Sequence, residues 1–243
     1  MAFNLKYSQY NNASILVEWP QKIDELILDD IIIFKSKIEN YYSKQKVEVI
    51  NAYTSILIIY SFTIDKFNDE LSVLKNLYSK KNSQSEVNKQ LWEIPVCYDP
   101  YFGEDLVQFS RTKELSISEI IELHTNKIYT VYFIGFLPGF LYLGGLDPKL
   151  KLARKRTPSL TVKKGAVGIG GNQTGIYPQD SPGGWHIIGN SPVEIFNPNE
   201  SLPCIISPGD KVRFVPVSKS EHSEILKLIE VDQYNLKSKP IYA

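Results

Sequence analysis

The chain is poor in the residues that usually reveal a catalytic or metal site directly. Its 243 residues include only two cysteines and three histidines, and its formal net charge is zero. Cys97 and Cys204 lie far apart without metal-ligand spacing, so neither a zinc site nor a disulfide framework is predicted. The neutral charge argues against a global nucleic-acid-binding surface. The chain is long enough to bury a core without a disulfide or a metal.

Long hydrophobic runs are also absent. The longest aliphatic runs, at residues 31–34 and 56–60, are much shorter than the roughly 20 apolar residues that a membrane-spanning helix needs. The N-terminus lacks the basic-then-apolar pattern of a secretion signal. Together with the low cysteine content, these features predict a soluble, reduced, cytoplasmic protein that binds neither membrane nor nucleic acid.

Glycine and proline are concentrated in one stretch. Residues 135–192 hold twelve of the fourteen glycines and six of the fourteen prolines. Glycine permits positive φ and close backbone approach, whereas proline fixes φ. Between apolar pairs, both indicate short strands joined by tight turns. We interpret the stretch as the wall and rim of a ligand site on a β scaffold; a turn-rich barrel without a site is the alternative.

The first part of the chain predicts elements in the order β-α-β-β-α-β, which is the split βαβ arrangement. Strands are predicted near residues 14–19, 47–50, 55–60 and 91–96, and helices at 22–42 and after Asp65. Asp65 is predicted to cap the second helix. No catalytic pairing is visible here, so we expect a structural or docking domain.

The second part is predicted to be rich in β-structure. Ser116 or Ser118 is predicted to cap a helix that ends near His124, and residues 220–230 to form a C-terminal helix. The remaining pattern predicts short strands at residues 127–136, 160–162, 167–169, 185–188, 193–196, 204–207 and 211–217. A closed barrel is the architecture that best hides the edges of so many strands.

Residues 170–175, with the sequence GGNQTG, have the glycine spacing of a phosphate loop. They lack the lysine and the serine or threonine that such a loop uses on phosphate and Mg²⁺, and no helix is predicted to follow them. An anion nest of backbone N–H groups remains a possible interpretation. In that nest Gln173 and Thr174 are the polar contributors, and Gly170 and Gly171 shape the backbone.

Seven basic residues lie between positions 149 and 164, and no acidic residue lies between 148 and 179. Such a run is usually a solvated edge. Beside a glycine-rich rim, however, Arg154 and Arg156 are candidates to bind a phosphate or a carboxylate. Asp147 and Asp180 flank the run and are candidate Mg²⁺ ligands, although aspartate is common in turns.

The three histidines do not form a recognisable catalytic motif. His124 is predicted at a helix C-terminus, where the helix dipole favours a cation. His186 is predicted in a strand, and His222 on the surface of the C-terminal helix. Neither a nucleophile elbow nor a zinc-protease motif occurs, so no metal site is predicted. The aromatic residues of the stretch suit a ligand pocket or a core equally well: Tyr132, Phe136, Phe140, Tyr142, Tyr177 and Trp185.

Three long motifs are specific enough to indicate a family. They are residues 134–147 (IGFLPGFLYLGGLD), 165–178 (GAVGIGGNQTGIYP) and 181–185 (SPGGW). They resemble the family of 5-oxoprolinase B subunits, which is also described as KipI-like or as allophanate hydrolase subunit 1. The resemblance extends over nearly the whole chain.

The resemblance implies an α+β protein with a ferredoxin-like domain at residues 1–90 and a cyclophilin-like β-barrel domain at residues 91–243. It implies a protein that acts with two partners, namely a second cyclophilin-like protein, the C subunit, and the A subunit. The complex would hydrolyse the lactam 5-oxo-L-proline to L-glutamate at the expense of ATP with Mg²⁺, bound at a site shared with the partner. The chain alone is expected to be inactive. The alternatives are a KipI-like inhibitor of a sensor histidine kinase and a component of a urea or allophanate amidolysis system.

Within this framework the predicted catalytic residues are His124, Gln173 and His186. The predicted substrate or anion contacts are Gly170, Gly171, Thr174, Tyr177, Ser181, Arg154 and Arg156. The family usually has Arg, Pro and a basic residue at the positions of Ser159, Lys163 and Asn190. This chain therefore lacks two arginine-type anion contacts, each worth about 1.5–3 kcal/mol, which would change substrate recognition.

Overall fold

The computed structural model describes residues 3–45, 47–80 and 89–241. The chain divides into two compact units, Met1–Val87 and Asn88–Ala243, and each has its own hydrophobic core. No helix in the described ranges is both long and apolar enough to cross a membrane.

The first unit is a four-stranded antiparallel sheet with two helices. Its elements are β1 (Lys6–Asn11), β2 (Ser14–Glu18), α1 (Glu25–Tyr41), β3 (Val47–Asn51), β4 (Ser55–Tyr60) and α2 (Phe67–Ser79). The strand order is β1-β2-β4-β3. Asp24 caps α1 by accepting from the Leu26 N–H, and α1 buries Ile31 and Phe34 in one core with Ile56 and Ile58 of β4.

The six elements of the predicted β-α-β-β-α-β order all exist, from β2 to β5 (Lys89–Val96), but they do not form one domain by themselves. An additional strand, β1, precedes β2 and pairs with it along the sheet edge. All six residues of β1 are exposed or half-buried, so the strand lacks the apolar alternation that would have revealed it. The strand at 91–96 exists but belongs to the second unit. Asp65 does not cap α2, whose N-cap residue is Lys66 without a side-chain bond.

The second unit combines a large sheet, a small sheet and three α-helices among its described residues. In chain order the elements are β5 (Lys89–Val96), α3 (Leu106–Lys113), α4 (Ile117–Thr125), β6 (Tyr129–Ile134), β7 (Leu141–Gly144), a 3-10 turn (Pro148–Leu150), β8 (Ser159–Val162), β9 (Ala166–Gly170), β10 (Gln173–Ile176), β11 (Ser181–Gly183), β12 (His186–Asn190), β13 (Lys211–Pro216), α5 (Lys219–Glu230) and β14 (Lys237–Ile241). The large sheet runs β12-β9-β10-β7-β6-β13-β5-β14, and β8 pairs with β11 separately.

The sheet is not the closed barrel that the sequence predicts. Its ladder ends at β12 and β14, and in the described part of the chain an isolated bridge between Cys97, which follows β5, and Asn190 joins these two regions. Two backbone hydrogen bonds of 2.8 and 3.0 Å join that pair. The strands predicted at 193–196 and 204–207 are also wrong, because those segments form only the single bridge Phe196–Cys204.

The N-terminal caps of α4 and α5 follow directly from local sequence. Ser116 caps α4 in a capping box with Glu119, which confirms the prediction, and Ser218 caps α5 in the same way with Glu221. Each box satisfies N–H groups that a helix start leaves free. The helix α3 was not predicted, because only Leu106 and Phe109 of its eight residues are buried.

Candidate functional site

An aromatic niche lies beside the loop that joins β6 to β7. Phe140, Tyr177 and Trp185 meet edge to face, with ring centroids 5.4 Å (Phe140–Trp185), 5.6 Å (Phe140–Tyr177) and 6.3 Å (Tyr177–Trp185) apart. Phe136 and Arg154 line the same cavity of about 90 Å³. Edge-to-face pairs hold aromatic rings in defined orientations, so the niche has a fixed wall.

The glycines of the stretch make room for these rings. A Cβ at Gly170 would lie 2.3 Å from Cδ1 of Trp185, and one at Gly183 would lie 2.4 Å from the Tyr177 hydroxyl. Because neither contact is possible for a larger residue, glycine is required for close approach to the rings. The glycine density predicted to mark a ligand wall therefore has a packing role as well.

Phe136 lies at the niche in a strained conformation. Its φ is 66°, in the left-handed region, and its residue surface is 64% exposed. For a residue with a Cβ this region costs about 1–2 kcal/mol. Strain of this kind is typical of functional positions, where the surrounding structure maintains it. The ring lies 5.6 Å from Phe140, so the strained residue extends the aromatic wall outward.

The basic segment is anchored beside the niche. The Arg154 guanidinium lies 5.9 Å from the centre of the Trp185 ring. Lys155 forms an ion pair of 2.6 Å with Asp105, and His186 donates from Nε2 to the Ala153 carbonyl at 2.9 Å. Arg156 is exposed. A planar cation beside an aromatic face is suited to bind a carboxylate or phosphate.

The glycine loop turns from β9 into β10, and the N–H of Gly171 is already occupied. The Gly171 N–H donates to the Leu152 carbonyl at 2.7 Å, and Leu152 donates back to Gly171 at 3.1 Å. Gln173 is half-buried and pairs with Gly170 across the turn. Because an anion nest needs unoccupied N–H groups, the Gly171 N–H is not available to one, and the nest of residues 170–175 stays a prediction. The catalytic role of Gln173 stays a prediction.

His124 lies fully buried in the core of the second unit, and hydrogen bonds occupy both of its ring nitrogens. The Tyr98 hydroxyl donates to Nδ1 at 2.6 Å, and Nε2 donates to Thr174 Oγ1 at 2.8 Å. The Thr174 hydroxyl in turn donates to the Gly168 carbonyl at 3.0 Å, which fixes the direction of the hydrogen-bond chain. Burial lowers the pKa of His124 to about 3. The imidazole is therefore neutral, and the expected cation at the helix end is wrong.

The predicted site residues thus separate into groups rather than forming one constellation. Tyr177 and Arg154 line the niche. His186 is the first residue of β12 and directly follows Trp185 of the niche. Thr174 belongs to the buried hydrogen-bond chain of His124. Ser181 is buried in β11, and its hydroxyl has no hydrogen-bond partner among the described residues.

A cavity of about 580 Å³, which the sequence did not predict, also lies within the second unit. Its polar lining includes Asn190, Ser191 and His222. The prediction that His222 lies on the surface is wrong, because the residue is buried. A signal for this was available, because His222, Leu226 and Ile229 recur at the spacing of one helix face and all three line the cavity.

The described residues do not build a metal site. No group of three or more histidine, cysteine, aspartate or glutamate residues within them could hold an ion. Asp147 lies 3.3 Å from Lys127, and Asp180 lies 2.9 Å from Lys163. The pKa of Asp147 is lowered mainly by the Lys149 N–H, and that of Asp180 mainly by the Lys163 side chain. The two aspartates that the sequence offered as candidate Mg²⁺ ligands are therefore each paired with a lysine side chain.

The described residues form a protein of the α+β class in which the glycine-rich stretch contributes walls to the aromatic niche and to the 580 Å³ cavity. Residues 5–206 match the family described as carboxyltransferase domain, subdomain C and D, and the chain belongs to this family. The chain is 32% identical over 232 residues to the B subunit of 5-oxoprolinase from Bacillus subtilis (strain 168), covering 91% of this chain and 97% of that protein. The resemblance inferred from the three motifs is confirmed.

Two further relatives extend the comparison. The solved structure of TTHA0988 superposes with a TM-score of 0.72 at 31% identity, over 84% of this chain and 40% of that chain. Urea amidolyase of Lachancea kluyveri is 35% identical over 108 residues, which is 40% of this chain and 6% of that protein. The family therefore includes relatives that are separate subunits and relatives that are parts of much longer chains.

Proposed function

We propose that this chain is the B subunit of an ATP-dependent 5-oxoprolinase that hydrolyses 5-oxo-L-proline to L-glutamate. The observation that carries the proposal is its similarity, over nearly the full length of both chains, to the 5-oxoprolinase B subunit of Bacillus subtilis. In this proposal the chain is inactive alone and acts with the A and C subunits. The same proposal describes the two units as ferredoxin-like and cyclophilin-like.

The chemistry of lactam opening agrees with the groups that this chain offers. Attack on an amide places negative charge on its carbonyl oxygen, and cations and N–H donors stabilise that charge without a covalent nucleophile. Arg154 at the aromatic niche and the exposed Arg156 are the cations suited to this role. In the same proposal ATP with Mg²⁺ binds at a site shared with a partner subunit.

A second candidate is a role in urea or allophanate amidolysis. It is favoured by the similarity to urea amidolyase, since urea, like a lactam, is an amide. The match covers less than half of this chain, so it supports the second candidate less strongly.

Co-expression of the chain with candidate A and C subunits tests both functions. We expect release of phosphate from ATP, coupled to glutamate formation, only when 5-oxo-L-proline and all three proteins are present. Turnover of urea without turnover of 5-oxo-L-proline would favour the second candidate. A stable complex that turns over neither would overturn both, and the kinase-inhibitor alternative would then be tested by binding to sensor histidine kinases.

A pair of arginine variants makes this test specific to the niche. Arg154→Gln removes the cation beside Trp185 and should lower turnover of the assembled complex. Arg111→Gln removes an exposed arginine of α3 and should leave turnover unchanged. Equal turnover of both variants would exclude Arg154 from the reaction.

A further inference from the structure

Arg154 is the cation that the proposed function uses at the niche, yet its contact with the niche does not by itself hold it in place. The residue is exposed, and its guanidinium lies 5.9 Å from the centre of the Trp185 ring. A cation beside a ring gains little at an exposed site, whereas an arginine side chain loses much rotamer freedom when it is held. The position of the guanidinium therefore depends on how the neighbouring residues are anchored.

Two hydrogen bonds hold the backbone on either side of Arg154. The Lys155 N–H donates to the Gly184 carbonyl at 2.7 Å. His186 donates from Nε2 to the Ala153 carbonyl at 2.9 Å, and because a carbonyl only accepts, this ring nitrogen carries a proton. Gly184 and His186 are the neighbours of the niche tryptophan in the chain. The two bonds therefore set the register in which Arg154 lies opposite the indole ring.

The Lys155 side chain adds a third anchor. Its Nζ forms an ion pair of 2.6 Å with Asp105 Oδ2 and donates to Ser159 Oγ at 3.2 Å. The two side chains of the ion pair are only 18% and 21% exposed. A pair that is partly withdrawn from water is screened less than a pair on the surface. The ion pair therefore holds the residue next to Arg154 more firmly than a surface pair would.

Asp105 serves this anchor rather than its own helix. It is the N-cap residue of α3, and aspartate is a preferred cap, but its side chain makes no capping bond. Oδ2 accepts instead from the Ile187 N–H at 2.7 Å, in addition to pairing with Lys155. The Asp105 N–H also donates to the Ile187 carbonyl at 3.0 Å. One carboxylate thus joins β12 to the basic segment, and a local preference given up in this way is typical of a functional position.

We propose that Lys155, Asp105 and His186 are positioning residues, which hold the Arg154 guanidinium where negative charge develops on the amide carbonyl oxygen. A cation fixed in advance stabilises this charge without moving during the reaction, and a misplacement of about 1 Å can cost about a hundredfold in rate. In this proposal His186 holds the basic segment and transfers no proton. The assignment rests on the proposed function, whereas the anchoring rests on contacts within the chain.

Hydrogen exchange of the chain alone, measured by mass spectrometry, tests the anchoring. Lys155→Gln removes the ion pair and should raise the exchange rate of residues 153–157 about fivefold or more. Lys155→Arg keeps the charge and should exchange like the wild type. Lys163→Gln is the matched control, because it removes the exposed ion pair with Asp180 in the same basic segment. Unchanged exchange in Lys155→Gln, or a rise spread over the whole second unit, would overturn the proposal.

A double-mutant cycle in the assembled complex tests whether Lys155 acts through Arg154. Lys155→Gln should lower kcat about fivefold or more with little change in KM, because the loss falls on the transition state. In an Arg154→Gln background the same substitution should change kcat by less than about twofold, since no guanidinium remains to be positioned. Asp105→Asn keeps an acceptor for the Ile187 N–H and should reproduce Lys155→Gln. An equal loss in both backgrounds would make Lys155 a structural residue and overturn the proposal.

Two variants of His186 separate positioning from proton transfer. His186→Gln offers an amide N–H donor in place of Nε2 but has no group that titrates, so turnover of the complex should stay close to that of the wild type. His186→Leu removes the donor and should lower kcat about fivefold or more. An equal loss in the two variants would make His186 a catalytic residue and overturn its part in the proposal.

The two kinds of measurement distinguish failure of this inference from failure of the proposed function. If the complex does not turn over 5-oxo-L-proline but Lys155→Gln loosens residues 153–157, the anchoring stands and the function fails. If the complex turns over 5-oxo-L-proline and Lys155→Gln leaves its kcat unchanged, the function stands and the positioning role fails.

Discussion

Two buried histidines of the second unit differ in how completely their nitrogens are bonded. His124 and His222 are 0% and 3% exposed, and burial lowers the pKa of both. Tyr98 and Thr174 occupy both ring nitrogens of His124. Only Nε2 of His222 is bonded, to Asn190, within the described part of the chain. Both side chains are almost inaccessible to solvent, and the two histidines differ in the number of their hydrogen-bond partners and in the cavity beside His222.

The largest expected effect tests the structural side of this comparison. His124→Ala removes a fully buried ring, the acceptor of the Tyr98 hydroxyl and the donor to Thr174 Oγ1, so it should lower the free energy of unfolding by about 3–5 kcal/mol. His222→Ala removes one hydrogen bond beside an existing cavity and should cost less than half as much. Urea unfolding of both variants measures the difference, and equal costs would remove the distinction.

The pH dependence of stability is the next largest effect. The folded pKa of His124, about 3, lies below its ordinary value near 6.5, so the unfolded chain binds the additional proton between these values. The stability that neutral His124 contributes is present above pH 6.5 and is lost toward pH 3, at about 1.4 kcal/mol per pH unit. The lowered pKa of His222 adds to the loss below pH 6.5.

A variant without this imidazole isolates its contribution. His124→Phe keeps a ring to stack on Phe214, whose centroid lies 4.5 Å from that of His124, but it cannot bind a proton. Between pH 6.5 and 5, above the main titration of the carboxylates, its unfolding free energy should depend less on pH than that of the wild type. Parallel curves would show that His124 titrates normally in the folded chain.

Removal of one hydroxyl from each region compares them with the same chemistry. Thr174→Val leaves the His124 Nε2–H without its acceptor and removes the side-chain donor to the Gly168 carbonyl, so it should cost about 1–3 kcal/mol. Ser191→Ala removes a hydroxyl that has no partner in the described residues, so its unfolding free energy should stay within error of the wild type or rise. If Ser191→Ala destabilises the chain as much as Thr174→Val, Ser191 is a structural residue.

What the sequence could predict in this molecule is mainly local. The serine cap of α4 follows from side chains within one turn, and the buried face of α1 at Ile27, Ile31, Phe34 and Ile38 follows from helical spacing. The pairing of strands cannot be predicted from local sequence in this way. Nothing within β5 shows that it pairs with β13, more than a hundred residues later, rather than with the sheet of the first unit.

The candidate sites show the same limit. Tyr177 and Arg154 were predicted and lie at one niche, because they belong to the glycine-rich stretch whose turns the sequence displays. Asn190, Ser191 and His222 line one cavity, yet they come from β12, the segment after it and α5. Their association depends on long-range packing, and only the helix spacing of His222 could have indicated an inward position.

The smallest expected effect extends the comparison to Phe136, where strain rather than an unpaired atom is the local cost. Its φ of 66° costs about 1–2 kcal/mol for a residue with a Cβ, while glycine adopts this φ freely but loses about 0.5–1 kcal/mol through the entropy of the unfolded chain. Phe136→Gly should therefore change stability by no more than about 1 kcal/mol, in either direction. Turnover of the assembled complex should fall, because the niche loses the ring beside Phe140.

Phe62→Gly is the control for this variant. Phe62 is partly exposed and is not among the described residues with positive φ, so glycine relieves no backbone strain there and should destabilise the first unit. Thermal unfolding of both variants measures the contrast. An equal loss of stability at the two positions would show that the conformation of Phe136 is not strained.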